Sequence, residues 1–369
     1  MFKQYRFRQY DFKLVIMIVL LTAIGILAVG SAKEALQTKQ MMGALAGLFL
    51  MIVISLFDYT VLLKLYWVMY IVNIVLLALV RYSPLGNDAG GAQRWLNLFG
   101  FKFQPSETAK ILLILFFAQF IMKNKKKINS LQYIGVSLIL IGIPLFLIYK
   151  QPDLSTSIVI MLLFCVILFI GGLSYRIIFS VLAVAIPVAV IFLALILQPD
   201  QTILEGYQKD RILAFINPEA YANEEAYQQL NSIAAIGSGQ FDGKGYKNNE
   251  ISSVKNGNFI SEPQTDFIFA IIGEEFGFKG GCVVIILLFL IVLECIIIAR
   301  KAKDLAGAII AGGMGTLIGF QGFLNIGVAT FIIPNTGLPL PFVSYGLTSL
   351  LSLYIGMGFV LNVSLQNKK

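Results

Sequence analysis

Residues 262–299 read EPQTDFIFAIIGEEFGFKGGCVVIILLFLIVLECIIIA. From Gly281 onward the run is almost wholly apolar. A helix crosses the roughly 30 Å hydrocarbon core of a bilayer with about 20 such residues. Ahead of that run lies a shorter apolar segment that carries three acids, Asp266, Glu274 and Glu275. Unbroken helix from 265 to 299 would be about 52 Å long at 1.5 Å per residue, too long for a membrane. The stretch therefore predicts a transmembrane helix whose first part lies at the outer interface or breaks at Gly277 or Gly280.

The rest of the chain repeats the theme. Of 369 residues, 58% are hydrophobic and 13% charged, and the mean hydropathy is +0.82. A soluble globule this apolar could not cover its surface, so the composition predicts a polytopic membrane protein. There is no histidine, which excludes a Ser-His-Asp triad, a Cys-His pair and His-ligated zinc or haem. The three cysteines, Cys165, Cys282 and Cys295, sit in apolar runs and read as structural thiols. Any catalysis falls to Asp, Glu, Lys, Arg, Ser or Tyr.

Ten apolar runs qualify as spans: 13–30, 40–57, 62–81, 104–122, 131–149, 154–173, 177–197, 280–299, 305–330 and 342–363. The fold expected is an all-α polytopic membrane protein of ten transmembrane helices, in one domain over 1–369. An N-terminus inside places Lys3, Arg6, Arg8, Lys13, Lys64, Lys123, Lys125, Lys126, Lys127, Arg176, Arg300, Lys301, Lys303, Lys368 and Lys369 on the inner face. Only Lys33, Lys39, Arg81, Arg94, Lys102 and Lys150 then fall in short outer loops. That bias predicts N-in, C-in, with the long 198–264 loop between spans seven and eight outside and left out of the count. The net charge of +8 then reads as topology and attraction to anionic lipid, not nucleic-acid binding.

Two outer loops carry irregular sequence. The 82–103 loop is Gly-rich with one Trp, NDAGGAQRWLNLFG. Inside 198–264, residues Asn223 to Ile236 read as a helix with Asn223 as cap, Glu224 and Glu225 in the first turn, and Gly237 and Gly239 as its stop. Its apolar positions Tyr227, Leu230, Ile233 and Ala234 share one face, which predicts a helix lying on the membrane surface or packed on the bundle.

Ionisable groups within or beside a bilayer are candidates for function, and here they collect at the outer ends of spans. Glu107 and Lys110, three apart in QPSETAK, share a helix face and read as a salt bridge or as a polar cleft wall with Lys110 toward an anion. Asp153 in QPDLSTS opens a helix and reads as its cap or as a site carboxylate. Arg94 follows a glycine pair and precedes Trp95, which suits an interfacial anchor or a phosphate contact. Asp266, Glu274 and Glu275 read as interfacial acids or as chemistry. The loop FIIPNTGLPLPFVSYGLTS, 331–349, holds three prolines and two glycines and cannot be regular helix. Such backbone is tolerated at membrane depth where it is buried or lines a wet cavity, with Asn325, Thr336, Ser344 and Tyr345 as hydrogen-bonding groups. Together these features predict an outward-facing cleft.

The segments QRWLNLFGFKFQPSETAK, QPDLSTS, TDFIFAIIGEEFG and GLPLPFVSYG, in this order, resemble the SEDS family, the shape, elongation, division and sporulation group that includes RodA, FtsW and SpoVE. The resemblance runs from the first span to the last. Two positions depart from the family pattern. Ser155 stands where Gly usually follows QPDL, and Gly346, Leu347, Thr348 and Ser349 stand in place of GGSS. The termini and the NPEAY stretch resemble the RodA/SpoVE side. The resemblance implies a peptidoglycan glycosyltransferase of the bacterial plasma membrane that polymerises lipid II on the outer face. It implies work beside a class B penicillin-binding protein in a wall-elongation complex, and it maps the family's essential aspartate to Asp266.

Such a reaction inverts an α-linked donor to a β-1,4 product, with diphosphate leaving. It needs a base for the acceptor hydroxyl and positive charge for the leaving group. Asp266 is the candidate base. Arg94, Lys110 and Lys150 are candidates to neutralise the diphosphate, alone or with Mg²⁺ or Mn²⁺ held by Asp153, Glu274 or Glu275. Glu107 and Ser344 complete the expected substrate-binding set. Two other readings stand beside this one: a flippase for the lipid-linked precursor, and a non-catalytic scaffold of the wall-synthesis complex.

Overall fold

The computed structural model of the protein describes residues 10–83, 86–89, 92–98, 101–196, 206–222, 226–247, 253, 257 and 259–367. In chain order its helices are α1 (Phe12–Ala32), α2 (Glu34–Ser55), α3 (Tyr59–Leu62), α4 (Tyr66–Tyr82), α5 (Pro105–Lys123), α6 (Leu131–Tyr149), α7 (Leu154–Ile170), α8 (Tyr175–Ile196), α9 (Gly206–Ile216), α10 (Tyr227–Ser238), α11 (Ile268–Lys301), α12 (Leu305–Ala329) and α13 (Leu347–Leu365). Eight helices are long and apolar enough to cross a membrane among the described residues, with α3 and α4 counted as one run from Tyr59 to Tyr82. They are α1, α2, α3–α4, α5, α6, α11, α12 and α13. The apolar α7 is shorter, at 17 residues.

Side-chain caps start several of these helices. Asp11 accepts from the Leu14 amide at 3.0 Å, and Asp304 from the Gly307 amide at 2.7 Å. Pro105 opens α5, where its missing N–H costs nothing. α5, α12 and α13 are buried along most of their length and form the middle of the bundle, whereas α4 exposes most of its apolar surface. α2 lies close to α13 because residue 47 is glycine: a Cβ there would sit 2.3 Å from the Tyr354 ring.

The helix of residues 268–301 breaks at Gly277, one of the two glycines expected to break it. Its φ of 62° and ψ of −159° lie outside helix and outside what a side chain tolerates easily. The break opens the two helical hydrogen bonds that would join Phe278 to Glu274 and Lys279 to Glu275. A turn at 239–245 fills all four places. The Lys244 and Gly245 amides donate to the carbonyls of Glu274 and Glu275 at 2.9 and 3.0 Å. The Phe278 and Lys279 amides donate to the carbonyls of Gln240 and Phe241 at 2.8 and 3.3 Å. The seam is too tight for side chains: a Cβ on Gly243 would lie 2.2 Å from the Glu275 carbonyl oxygen, and one on Gly239 would lie 1.9 Å from that of Gly273. The half-helix ahead of the break is enclosed by protein, with residues 268–275 all buried. This corrects the reading of Glu274 and Glu275 as solvated interfacial acids.

α10 packs on that half-helix through its polar side, so of the two expectations for its apolar positions, packing on the bundle through them is not what is found. Gln229, Ser232 and Ala235 are buried, while Tyr227 and Ile233 are exposed. The reason lies in its partner. The end of α12 and the turn after it offer carbonyls, and Gln229 Nε2 donates to those of Val328 and Ile333 at 3.0 and 2.9 Å while Ser232 Oγ donates to that of Ala329 at 2.7 Å. The expected cap and first turn at Asn223, Glu224 and Glu225 lie outside the described residues.

The 82–103 loop adds an element that the all-α reading lacks, a three-stranded antiparallel sheet of β1 (Gly86–Ala89), β2 (Ala92–Leu98) and β3 (Phe101–Phe103) in that order. Asn87 pairs with Trp95, and Leu96 with Phe103. The register shifts between Asn87, which pairs with Trp95, and Asp88, which pairs with Gln93, so Arg94 is the unpaired residue of a bulge in β2, a feature that re-aims a side chain. Its guanidinium reaches the carbonyls of Gln151 and Pro152, and Leu96 is buried.

Gly277→Ala strains the backbone and drives a Cβ to within 2.4 Å of the Gly243 amide nitrogen. The expected loss is about 1–3 kcal/mol, read as a lower thermal unfolding midpoint of the purified protein. Gly243→Ala attacks the same seam, so the double variant should lose less than the sum of the two.

Candidate functional site

Asp266 lies in the turn just ahead of α11 and is half-buried. Its main chain is held from several sides. Asn325, on α12, donates through Nδ2 to the Asp266 carbonyl at 2.7 Å and to the Leu338 carbonyl at 2.7 Å. Ser344 Oγ donates to the Thr265 carbonyl and accepts from the Leu340 amide at 2.8 Å. The Tyr345 amide donates to the Gln264 carbonyl at 2.8 Å. The proline-rich loop and the Asp266 turn are thus one structure. Gly337 takes φ +67° and approaches the carboxylate so closely that a Cβ there would be 3.4 Å from Asp266 Oδ2.

The carboxyl of Asp266 is raised from its ordinary value to about 6. Burial is the main cause. Arg211 and then Arg94 pull it back down, while the charges of Glu262 and Asp153 push it further up. A carboxylate held near neutrality can accept a proton at physiological pH and return it.

Arg94 reaches the turn between α6 and α7. Its Nε donates to the Gln151 carbonyl at 3.3 Å, and one terminal nitrogen donates to the Pro152 carbonyl. Asp153 follows as the cap of α7, accepting from the Thr156 amide at 3.1 Å and from the Thr156 hydroxyl at 2.8 Å. Asp153 therefore caps the helix, and its charge is felt at Asp266. Ser155, one of the two departures from the family pattern, donates to the Thr336 carbonyl beside Gly337. At the other, Thr348 accepts from the Gln104 amide at 3.4 Å and donates to the Lys102 carbonyl at 3.3 Å.

Arg211 did not stand out in the sequence. It sits on α9, donates to the Asn335 carbonyl at 3.5 Å, and is the strongest positive influence on Asp266. The loop that carries it, 198–264, is the one whose charges say nothing about orientation, and a lone cation in RILAFI has no pattern of its own. Its signal was position alone, on a short helix in a long outer loop.

Glu107 and Lys110 form a buried ion pair at 2.7 Å, and Lys110 also donates to Gln321 Oε1 at 3.3 Å. This is the salt-bridge reading; Lys110 is committed to protein partners. Glu107 Oε2 is buried with no hydrogen-bond partner among the described residues. Glu274 and Glu275 belong to the seam. Glu274 pairs with Lys244 at 3.1 Å and accepts from Ser253 at 3.3 Å, and Glu275 accepts from Ser31 Oγ at the end of α1. Asp153, Glu274 and Glu275 do not converge, and no group of three or more His, Cys, Asp or Glu side chains forms a cation cage among the described residues.

The family profile FTSW_RODA_SPOVE, described as cell cycle protein, matches residues 8–369. The chain is 37% identical over 305 residues to the peptidoglycan glycosyltransferase MrdB of Escherichia coli, covering 82% of this chain and 79% of that one. It is 33% identical over 378 residues to the probable peptidoglycan glycosyltransferase FtsW of Trichlorobacter lovleyi, covering 98% and 95%. Among solved structures it superposes at a TM-score of 0.78 and 27% identity, over 96% of this chain and 97% of the other, on one described as structural coordination of polymerization and crosslinking by a peptidoglycan synthase complex. The crystal structure of the rod shape determining protein RodA of Thermus thermophilus gives 0.70 and 26% over 96% of each.

Lys110→Ala strands the Glu107 carboxylate in the bundle. The expected cost is about 3–5 kcal/mol, seen as a lower unfolding midpoint. Replacing both partners with apolar residues of similar volume should recover most of it.

Proposed function

The chain belongs to the FtsW/RodA/SpoVE family of cell cycle proteins, and from that premise we propose how its outer cleft carries out glycan polymerisation. It is a peptidoglycan glycosyltransferase, a multi-pass protein of the bacterial plasma membrane. Lipid II is the substrate in this reading, and the acceptor is the growing strand. The acceptor 4-hydroxyl attacks the anomeric carbon of the donor in line, the bond from that carbon to the diphosphate oxygen breaks, and the diphosphate leaves with the electron pair. The hydroxyl proton passes to Asp266.

The observation that carries this assignment is one carboxylate, held near neutrality by burial, within the influence of two guanidinium groups. Arg211 and Arg94 serve the diphosphate. Each guanidinium offers five N–H donors, and the two contacts of Arg94 to the 151–152 carbonyls leave the rest of its fork for an anion. Lys110 acts behind them through its ion pair. Asp153 and Glu274 have their oxygens engaged by protein donors, which suits capping and clamping better than a resident cation. Magnesium or manganese fits this reading as a companion of the substrate's diphosphate. An open apolar groove of about 330 Å³ between α6 and α7, lined by Leu145, Phe146, Tyr149, Ser157, Ile158 and Met161, gives the polyprenyl tail a place beside the 151–153 turn.

For the whole chain, the reading takes ten spans by adding α7 and α8 to the eight long apolar helices, with N-in and C-in as the lysine and arginine bias requires. It puts the 198–264 segment outside, beside the cleft. A class B penicillin-binding protein is the partner that would cross-link the strands, and cell elongation is the process.

The test is polymerisation of labelled lipid II by the purified protein with its transpeptidase. Asp266→Asn should lose about 10²–10⁴-fold in rate; wild-type polymerisation by this variant would reject the base. In the wild type the rate should rise with pH through about 6, because the base must be ionised. Arg211→Ala removes the charge that most lowers the Asp266 carboxyl, so its acid limb should move to higher pH.

A further inference from the structure

Gln321 and Asn325 lie one turn apart on the same face of α12, and both are fully buried. Each gives its side-chain amide to the proline-rich loop. Gln321 Nε2 donates to the Pro339 carbonyl at 3.2 Å, and Asn325 Nδ2 to the Leu338 carbonyl at 2.7 Å. Beyond the loop they part. Gln321 accepts from Lys110, whereas Asn325 donates its second N–H to the Asp266 carbonyl at 2.7 Å. One NH₂ group therefore joins the residue that carries the carboxylate to the loop that lies over it, whose Gly337 approaches Oδ2.

The other tethers miss this point. Ser344 and Tyr345 hold Thr265 and Gln264, and Ser155 holds Thr336. The far end of the Asn325 amide says the same from the opposite direction. Asn325 Oδ1 is buried with no hydrogen-bond partner among the described residues. A buried acceptor left without a partner is costly. An asparagine kept at that cost is there for its two donors.

We propose that Asn325 is a positioning residue for the glycosyl transfer, clamping the main chain of Asp266 to Leu338 so that the carboxylate is fixed beneath the Gly337 backbone. The inference rests on the reading of Asp266 as the base. A carboxylate freed from beneath the loop would turn on its main chain and meet more water. The groups that face it are Arg211 from α9, Arg94 from β2, Asp153 from the cap of α7 and Glu262 from its own turn. All of them stay in place when only the clamp is cut.

The experiment uses the full chain with its transpeptidase and labelled lipid II, and measures kcat, KM and the pH profile for Asn325→Ala, Gln321→Ala and Asp266→Asn. Asn325→Ala should lower kcat about 10–100-fold with KM changed less than about twofold. Its acid limb should fall by about one pH unit as Asp266 gains water. Gln321→Ala removes a like amide from the same helix face and the same loop, and should leave the acid limb near that of the wild type. If Asn325→Ala does not yield folded protein, Asn325→Ser, which keeps one donor, should show the same changes at smaller size. Wild-type kcat and acid limb in the Asn325 variants, or an equal shift in Gln321→Ala, overturn the proposal. An inactive Asp266→Asn beside a normal Asn325→Ala rejects the clamp alone; an active Asp266→Asn rejects the base.

Discussion

A helix broken away from water must give its opened main-chain groups new partners, because an unmade hydrogen bond in such surroundings is costly. That constraint governs the outer half of this protein. The break at Gly277 opens two carbonyls and two amides, and the 239–245 turn supplies two amides and two carbonyls to match. The half-helix ahead of the break can then be short, buried and aimed differently from the span that follows it. Asp266 stands at its start. The direction of that half-helix, and with it the place of the carboxylate, depends on four hydrogen bonds made to a turn from elsewhere in the chain.

A second set of polar contacts fixes the other side of the cleft. Side-chain amides on α12 and the Ser155 hydroxyl satisfy carbonyls of a loop that no regular structure covers, and Ser344 of that loop donates to the Thr265 carbonyl. The two sets act on different neighbours. The turn at 239–245 holds the half-helix from behind, where Glu274 and Glu275 are also engaged, and the Asn325 amide of α12 holds its leading end. The charges divide accordingly. Acids at 107, 274 and 275 are neutralised or clamped by protein and shape the scaffold. Asp266 keeps an environment of mixed sign, with two cations and two carboxylates around it.

Spans were legible in the sequence because apolar length is a property of one segment. Leu131–Tyr149 begins and ends where its apolar run does, and helix length left either an interfacial first part or a break at Gly277 or Gly280, of which the break at Gly277 is found. What escaped depended on partners. The apolar positions of α10 do not show which side meets the bundle, since that side is chosen by carbonyls at the end of α12 that lie about a hundred residues away. The sheet at 86–103 carries glycines that read as loop, and pairing of its strands gives them shape. Asp266 was legible as an acid in the wrong place and through a family pattern. Arg211 belongs to its surroundings only after α9 folds back toward the Asn335 carbonyl.

The hydroxyl of Ser155 has a consequence for how such proteins diverge. It adds a tether to the loop over Asp266 from a position that the family pattern fills with glycine, and it leaves every charged group untouched. Stiffness of the loop and chemistry of the cleft are therefore separate inheritances. A single substitution at 155 can tighten or loosen the roof while the reacting groups stay the same.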